Sequence, residues 1–339
     1  MLNRVLVFVF LYSLAWTAAA TESCQPGKPQ LIIYHPGSIS AALKAVETLF
    51  TQQSGICIED YAGGSVSLAR KLTAGGLISD LYASADYQII DNMLKPAGFA
   101  DYSIRFAGGA MVLAYTTNSK YAATIAKSGS RFSPPNAIPE AAADWYAQLT
   151  QPGVTVSGSH PFLDPGGYRA DMIFQLAQDH YGVANLYDEL LSHYAISNAP
   201  GGLGKVFDYQ FIYEHGAQAS YKADKTGTYR YVKLPDAINL GVPGLNDLYA
   251  KRSVTLPGLQ SAGAATAVNI PASRVTWGIT LMKAAPNREN ALAFLELLFS
   301  SQGAAILSAV GPAPLSPPIV SKQDFALLPA ALKALVQSK

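Results

Sequence analysis

A strand–corner–helix unit that occurs twice in close succession constrains the fold most. The stretch LIIYHPGS runs from an apolar strand, Leu31 to Tyr34, into a Pro-Gly-Ser corner. The stretch ICIEDYAGGS repeats this order with a strand over Ile56 to Tyr61 and a Gly-Gly-Ser corner. Strands joined to helices through short Gly-rich turns are typical of βαβ units, which build parallel sheets. The sequence therefore predicts an α/β fold.

The segments that follow the corners extend this pattern. Apolar side chains at Ile39, Leu43, Val46 and Phe50 predict one face of an amphipathic helix. A shorter helix, SVSLARKLTAGG, and a strand, SDLYASADYQII, come next, and GAMVLAYTTNSK reads as a long strand that leaves this region. The strand-like RVTWGITLM appears only in the last third of the chain. This order favours two lobes, with a chain that crosses over and returns.

The N-terminus has the pattern of a secretory signal peptide over residues 1–20. Arg4 precedes an apolar stretch, which ends at the small residues Ala18-Ala19-Ala20. The stretch is shorter than a membrane-spanning helix requires, and an uncleaved anchor is the alternative. Removal leaves 319 of the 339 residues, a length that suggests two domains. Cys24 and Cys57 are the only cysteines, and in an exported protein such a pair predicts a structural disulfide.

Composition and motifs exclude several classes of function. Loss of Arg4 with the signal peptide leaves 23 basic and 23 acidic residues, so no electrostatic footprint for nucleic acid or for a membrane surface remains. The sequence contains no nucleophile elbow and no phosphate-binding loop, which makes an exported ester hydrolase the minor alternative from another class. Nineteen tyrosines raise the alternative of ferric-ion binding, but they show no close pairing. No cofactor is expected.

The two Gly-Ser corners, at Ser38 and Ser65, are candidate anion sites. A helix start exposes unpaired backbone N–H groups and the positive end of the helix dipole, and glycine lets a ligand approach closely. Serine is also a common N-cap, so one corner alone is weak evidence. Two corners on successive βα units converge on one sheet edge, which favours a shared anion. Gly166 and Gly167, before a helical pattern, and the hydroxyl of Tyr213 are further candidate donors.

Six motifs together resemble one family. In chain order they are YHPGSISAAL, AGGSVSLARKL, SDLYASADYQII, DPGGYRADM, YVKLPDAINLG and GPAPLSP, and they are similar to the solute-binding proteins of molybdate/tungstate ABC transporters, in the archaeal-type branch. The resemblance implies a type II periplasmic binding protein fold, in which each lobe is a mostly parallel sheet flanked by helices and a double crossover forms the hinge. We expect lobe one to comprise residues 21–115 and 272–339, and lobe two residues 116–271.

The resemblance also implies the ligand and the partners. Ser38 and Ser65 match serines that donate hydroxyl and amide hydrogens to the oxyanion, and Tyr213 matches the family tyrosine. The expected protein is an extracytoplasmic monomer that captures molybdate or tungstate for a permease and its cytoplasmic ATPase. Sulfate or phosphate is the alternative ligand within the same fold.

The sequence departs from the family at one position. In the archaeal-type branch the aspartate that matches Asp164, together with a glutamate just before the tyrosine, makes the metal centre six-coordinate. Here Ile212 replaces that glutamate, and Glu214 does not align with it. A lone carboxylate beside a dianion is repulsive, by about 4 kcal/mol per unit pair at 4 Å and an effective dielectric near 20. Asp164 must therefore ligate the metal, be protonated, or point away as a helix cap, and we favour the cap, with a tetrahedral ligand.

Overall fold

The computed structural model describes residues 30–74, 76–127, 139–196, 202–258 and 267–339. The predicted signal peptide, residues 1–20, and Cys24 lie outside these ranges. Cys57 is disulfide-bonded. Because Cys24 is outside the described residues, its pairing with Cys57 stays a prediction.

The described chain alternates strands and helices over most of its length. The strands are β1 (Leu31–Pro36), β2 (Ile58–Gly63), β3 (Leu81–Ser84), β4 (Ile104–Gly108), β5 (Met111–Thr116), β6 (Val156–Gly158), β7 (Tyr194–Ile196), β8 (Tyr209–Tyr213), β9 (Tyr229–Lys233), β10 (Ser253–Leu256), β11 (Val268–Pro271), β12 (Thr276–Leu281), β13 (Ala313–Val320) and β14 (Gln337–Ser338). The helices are α1 (Ser40–Ser54), α2 (Ser65–Ala74), α3 (Tyr87–Ile89), α4 (Trp145–Leu149), α5 (Pro165–Tyr181), α6 (Leu186–Ser192), α7 (Glu214–Ala223), α8 (Asn246–Tyr249), α9 (Arg288–Phe299), α10 (Ser301–Val310), α11 (Lys322–Leu327) and α12 (Ala330–Lys333). Short 3-10 turns cover Gly37–Ile39, Ala122–Thr124 and Pro243–Leu245, and a π-helical turn covers Ile90–Leu94.

The larger sheet has the strand order β14-β13-β4-β12-β3-β1-β2. As the βα units predict, β1 pairs in parallel with both β2 and β3. The strand β12 returns from the last third of the chain and is antiparallel to β3 and β4, and β13 is also antiparallel to β4. The sheet is therefore mixed, and its parallel part is the half that carries the two Gly-Ser corners together with the β13–β14 edge.

The smaller sheet has the strand order β7-β6-β8-β5-β9. It is mixed in the same way, because β6 is parallel to β7 and β8 whereas β5 is antiparallel to β8 and β9. A separate antiparallel ribbon joins β10 to β11. The two sheets and their helices form the two lobes of the fold.

The chain passes between the sheets twice, after β4 and again after β11. All of β5 belongs to the smaller sheet, so the predicted boundary after residue 115 cuts through a strand of lobe two. An apolar run shows that a strand is buried, but it does not show which sheet the strand joins. We therefore propose a first boundary at Gly109-Ala110. The second predicted boundary, between residues 271 and 272, falls directly after β11.

The helix α1 illustrates how the apolar pattern positions the first corner. Its predicted inward face, Ile39, Leu43, Val46 and Phe50, is buried, and burial of each such side chain stabilises the fold by about 1.5–3 kcal/mol. The helix ends at Gly55, whose φ of 71° is left-handed and favours glycine. Within the described residues no single helix has the length and apolar composition to cross a membrane, although α9 and α10 meet the criteria as a pair bent by 67°.

Candidate functional site

The two Gly-Ser corners lie side by side at one edge of the larger sheet. Parallel pairing of β1 with β2 sets His35 opposite Ala62 and Pro36 opposite Gly63. Both strands therefore end level with each other, and each continues at once into its corner. The order of elements predicts that the two corners lie at one sheet edge, and the parallel register of β1 and β2 places them there.

The hydroxyl and the carbonyl of Ser65 are both bonded within its own lobe. It is the first residue of α2 and is fully buried. Its Oγ accepts a hydrogen bond of 3.0 Å from the backbone N–H of Ala85, and its carbonyl accepts one of 2.7 Å from the hydroxyl of Tyr82. The Ser65 hydroxyl is thus fixed as an acceptor on one side, and its own hydrogen remains available to donate.

Ser38 is held by both lobes. It lies in the 3-10 turn Gly37–Ile39 and is half-buried. Trp277, from β12 of the same lobe, donates its Nε1–H to Ser38 Oγ over 3.1 Å. His215, from α7 of the other lobe, donates from Nε2 to the Ser38 carbonyl over 2.7 Å.

Tyr213 brings a third hydroxyl from lobe two. It is the last residue of β8, and its side chain is buried. Its Oη accepts a hydrogen bond of 2.9 Å from Nη1 of Arg169. Burial raises the pKa of the Tyr213 phenol, so the hydroxyl stays protonated.

Ser38, Ser65 and Tyr213 share one bonding pattern. Each hydroxyl oxygen accepts a hydrogen bond from a buried N–H group. Within the described part of the chain, none of the three hydroxyls donates a hydrogen bond to a protein acceptor, since the other bonds at Ser65 and Ser38 are accepted by their carbonyls. A hydroxyl carries one donor and two acceptor sites. Three donors are therefore available to a ligand that only accepts hydrogen bonds.

Contacts between their neighbours bring the three residues to the boundary between the two lobes, which is called the cleft below. The ring of Tyr213 lies edge-on to Trp277, the donor to Ser38, with ring centroids 4.9 Å apart. On the other side, the backbone N–H of Ser65 is hydrogen-bonded to the carboxyl group of Asp164. Gly166 joins the two sides, because a Cβ at this position would lie 2.9 Å from Asp164 Oδ1 and 3.9 Å from Tyr213 Cε2.

Arg169 supplies a fixed positive charge behind the cleft. It is 1% exposed, and its Nη1 donates to the Ala85 carbonyl over 2.8 Å. Its Nη2 lies 3.4 Å from Oδ2 of Asp86, and the same oxygen accepts 2.9 Å from the hydroxyl of Tyr168. Burial disfavours the charge, but the hydrogen bond to the Tyr213 oxygen and the carboxylate of Asp86 raise the pKa of Arg169. Through its contacts with Arg169 and Tyr168, Asp86 joins lobe one to lobe two.

Asp164 combines two of the roles that the sequence left open. It is the N-cap of α5, and its Oδ1 accepts 2.8 Å from the backbone N–H of Gly166. The carboxyl group does not point away from the cleft, however, because it also accepts from the Ser65 backbone N–H and the Ser159 side chain. Burial raises the pKa of Asp164, which favours the protonated form.

The expectation that free amides of Gly166 and Gly167 face the ligand is not met in this arrangement. The Gly166 N–H is taken by the cap, and the Gly167 N–H donates to the Asp164 carbonyl over 3.0 Å. A Cβ at Gly167 would lie 2.3 Å from the carbonyl oxygen of Ser159. The second glycine is therefore required for close packing of the loop before α5.

The lobes are in contact across the cleft. The backbone N–H of Ser67 donates to the Leu163 carbonyl over 3.1 Å, and Arg70 donates to the Phe162 carbonyl over 2.8 Å. A Cβ at Gly64 would lie 2.5 Å from the Leu163 carbonyl oxygen. Glycine at the second corner thus allows lobe two to approach this closely.

Sequence reasoning found the hydroxyls but not the groups that hold them. The local sequence gives no reason to place Trp277, His215 or Arg169 beside the cleft. Arg169 packs between the lobes, and it also contacts Tyr213. Trp277 lies 239 residues from its serine, and no local pattern marks such a contact.

Two lobes with a hydroxyl-lined cleft between them define the class of a solute-binding protein. The family described as bacterial extracellular solute-binding protein matches residues 31–311, and the chain belongs to this family. It is therefore a binding receptor and not an enzyme. The molybdate/tungstate-binding protein WtpA of Pyrococcus abyssi is 30% identical over 367 aligned residues, which cover 98% of this chain and 97% of that protein.

Solved structures agree on the fold. The periplasmic molybdate-binding protein of Azotobacter vinelandii superposes with a TM-score of 0.54 at 16% identity, covering 84% of this chain and 98% of that one. The sulfate-binding protein SubI of Mycobacterium tuberculosis gives a TM-score of 0.57 at 16% identity, covering 92% and 94%. At such identities the likeness concerns the fold alone, and the two neighbours differ in the anion that they are named for.

Proposed function

We propose that this protein captures molybdate or tungstate between its lobes and delivers it to an ABC transporter. The observation that carries the proposal is the pattern at Ser38, Ser65 and Tyr213, whose hydroxyls all accept from behind and all retain a hydrogen to donate. A fully deprotonated tetrahedral oxyanion has only acceptor oxygens and so matches three such donors. The name of the Pyrococcus relative supports this class of ligand.

The charges around the cleft suit a dianion without giving the protein a large net charge. Arg169 is buried with Asp86 as its partner, so the anion meets neutral hydroxyl dipoles with one shielded cation behind Tyr213. Burial of an anion is tolerated when many hydrogen bonds compensate for lost hydration. This explains how a chain with almost equal numbers of acidic and basic residues can bind an anion tightly.

The replaced glutamate bears on the coordination of the metal. Ile212 packs near Gly216, and Glu214 accepts 3.1 Å from Gln218 within α7. Neither provides a second carboxylate to partner Asp164. We therefore propose a ligand that stays tetrahedral, with Asp164 beside it as a protonated carboxyl group and not as a metal ligand.

Phosphate is disfavoured by the same residue. Phosphate at neutral pH carries a proton that needs an acceptor in the site, and Asp164 is the carboxyl group that lies beside Ser65. Because burial raises its pKa, Asp164 is a better donor than acceptor. Sulfate has no proton to place and remains the alternative within this fold.

Ferric iron fits the cleft poorly. A ferric site would use a tyrosine phenolate, and burial raises the pKa of Tyr213, which opposes its ionisation. Its oxygen already accepts from Arg169. Both features keep Tyr213 as a neutral donor.

We further propose that the receptor is a monomer outside the cytoplasm, which presents its loaded, closed form to a permease driven by an ATPase. The family description as extracellular and the resemblance to ABC-transporter receptors support this role. Contacts between Ser67 and Leu163, and between Arg70 and Phe162, exist only when the lobes are together. Closure would therefore change the surface that a permease meets.

Calorimetric titration of the mature protein with molybdate, tungstate, sulfate and phosphate tests the proposal. We expect tight binding of the two metal oxyanions and at least tenfold weaker binding of sulfate and phosphate. Ser38→Ala and Ser65→Ala should each weaken molybdate binding by about 10- to 150-fold, since a hydrogen bond to a charged group contributes about 1.5–3 kcal/mol.

Ser67→Ala is the matched control, because it removes a hydroxyl from the same helix while the Ser67 backbone N–H still reaches Leu163. We expect its affinity to match that of the wild type. Preference for sulfate would keep the receptor class but refute the metal oxyanion. Lack of binding by any of the four anions would refute the proposed ligand class altogether.

A further inference from the structure

We propose a second ligand site, for a divalent transition-metal cation of the zinc type, on lobe one behind the first corner. His35, Glu47 and Asp60 each contribute one ligand-type atom, and these atoms lie within 4.8 Å of one another. These three residues make none of the contacts described above for the anion cleft. The proposal is therefore independent of the proposed receptor function.

Sheet register explains why the three groups meet. Asp60 on β2 pairs with Ile33 on β1, and His35 is two residues beyond Ile33, so the side chains of His35 and Asp60 lie on one face of the sheet. Glu47 belongs to α1, which covers that face, and its side chain is buried. The cluster is thus built from two strands and a helix, which are rigid elements.

Glu47 is the observation that points to a ligand. Its side chain is 2% exposed, and neither carboxylate oxygen has a hydrogen-bond partner. The nearest cation is Nζ of Lys44, 3.5 Å from Oε2, on a side chain that is 66% exposed. A buried carboxylate without hydrogen bonds is costly, and a bound cation would satisfy both oxygens.

The hydrogen bonds of His35 orient one ring nitrogen towards the other two residues. The ring is fully buried, with Nδ1 3.1 Å from the Pro36 carbonyl and Nε2 3.2 Å from Oδ2 of Asp60. A carbonyl accepts only, so Nδ1 carries the hydrogen. Nε2 is then the ring nitrogen that faces the Asp60 carboxylate, and it is the nitrogen that a cation between the two groups would bind. A carbonyl behind the distal nitrogen is the usual support of a metal-binding histidine.

The donor set indicates the kind of metal. One imidazole and two carboxylates suit Zn²⁺ and its neighbours in the first transition row, with a fourth position open to water. Two carboxylates also neutralise a divalent charge. Lys44 lies within 3.7 Å of Asp60 as well as near Glu47, so its ammonium group acts as the competing cation.

The test uses the mature, tag-free protein in a chloride buffer free of molybdate, tungstate, sulfate and phosphate. Zn²⁺ is titrated by calorimetry, and Co²⁺ by visible absorption, which reports coordination by nitrogen and oxygen directly. We expect one Zn²⁺ per chain, with binding at least tenfold weaker in Glu47→Gln and in the more exposed variant Asp60→Asn. Lys44→Ala should bind Zn²⁺ more tightly, because it removes the competitor.

Glu59→Gln is the matched control. It removes the same charge from the adjacent position of β2, on the opposite face, where Glu59 accepts from the hydroxyl of Tyr61. Its Zn²⁺ affinity should be that of the wild type. The proposal is overturned if Zn²⁺ binds no better to wild type than to Glu47→Gln, or if Lys44→Ala weakens binding. Either result would leave a buried ion-pair cluster and would not affect the oxyanion titrations.

Discussion

The two Gly-Ser corners look alike in sequence but are held in different ways. Ser65 is fully buried, and both its hydroxyl and its carbonyl are bound within lobe one, by Ala85 and Tyr82. Ser38 is half-buried, and its carbonyl is bound by His215 of lobe two. The hydroxyl and carbonyl of the second corner are therefore bonded within lobe one, and only its amide reaches Asp164 of lobe two, whereas the carbonyl of the first corner is bonded only when the lobes meet.

This difference suggests a division of work between the corners. Both hydroxyls are oriented by lobe one before a ligand arrives, through Ala85 for Ser65 and Trp277 for Ser38. Only the Ser65 carbonyl is also bonded within that lobe, so Ser65 should act in the first encounter. A corner whose carbonyl is bonded across the cleft is stabilised by closure, so Ser38 should act mainly on the lifetime of the complex. Variants that change one corner and leave the other intact test this division.

The largest expected effect is that of Ser65→Ala. In addition to the loss of a ligand donor, the variant leaves the buried N–H of Ala85 without its acceptor, which costs about 1–3 kcal/mol. The free energy of unfolding of the ligand-free protein, measured by urea denaturation, should fall by that amount. Ser38→Ala should lower it by less, since its corner is partly exposed.

Equal losses of stability in Ser65→Ala and Ser38→Ala would contradict the comparison. Ser67→Ala again serves as the control, because no hydrogen bond of its hydroxyl is recorded among the described residues. It should unfold at the wild-type urea concentration.

Asp164→Asn removes an ionisable group from the second corner alone, since Asp164 contacts the amide of Ser65 and not Ser38. Burial raises the pKa of Asp164, and a dianion beside it raises that pKa further. Binding then takes up a proton, so the affinity of the wild type should fall as the pH rises, by up to about tenfold per unit. The asparagine variant cannot ionise and should bind with a flat pH profile.

Calorimetry between pH 6 and pH 9 measures this dependence. Asparagine retains an oxygen that can accept from the Gly166 N–H, so the cap of α5 should survive. At the alkaline end the variant should bind molybdate more tightly than the wild type does. Weaker binding at every pH would instead mean that the Asp164 carboxylate ligates the metal.

The limits of sequence reasoning follow from the same residues. Ser38 and Ser65 are readable because strand, glycine and serine are adjacent in the chain, and the Asp-Pro-Gly-Gly pattern indicates a helix start at Asp164. The contact of Asp164 with Ser65 depends on how the lobes meet, and no local pattern encodes that. For the same reason the sequence shows an apolar strand at residues 111–116 without showing which lobe contains it.

The groups behind the hydroxyls were beyond reach for a further reason. An arginine or a tryptophan has many common roles, and only the fold selects among them. Arg169 contacts both the carboxylate of Asp86 and the hydroxyl of Tyr213. Trp277 lies within a strand whose burial pattern alone accounts for an apolar residue.

The smallest expected effect is that of His215→Phe, which affects the first corner alone. Phenylalanine keeps an aromatic ring near Tyr213 and Trp277, whose centroids lie 6.0 and 5.3 Å from that of the histidine, but it cannot donate to Ser38. Loss of one neutral hydrogen bond costs about 0.5–1.5 kcal/mol, or roughly 2- to 12-fold in affinity. Because the bond joins the two lobes, the change should appear in the dissociation rate of molybdate, followed by stopped-flow tryptophan fluorescence.

His193→Phe is the control, since its Nδ1 bonds to Val154 within lobe two. A slower association with unchanged dissociation would show that Ser38, like Ser65, is set before the lobes close.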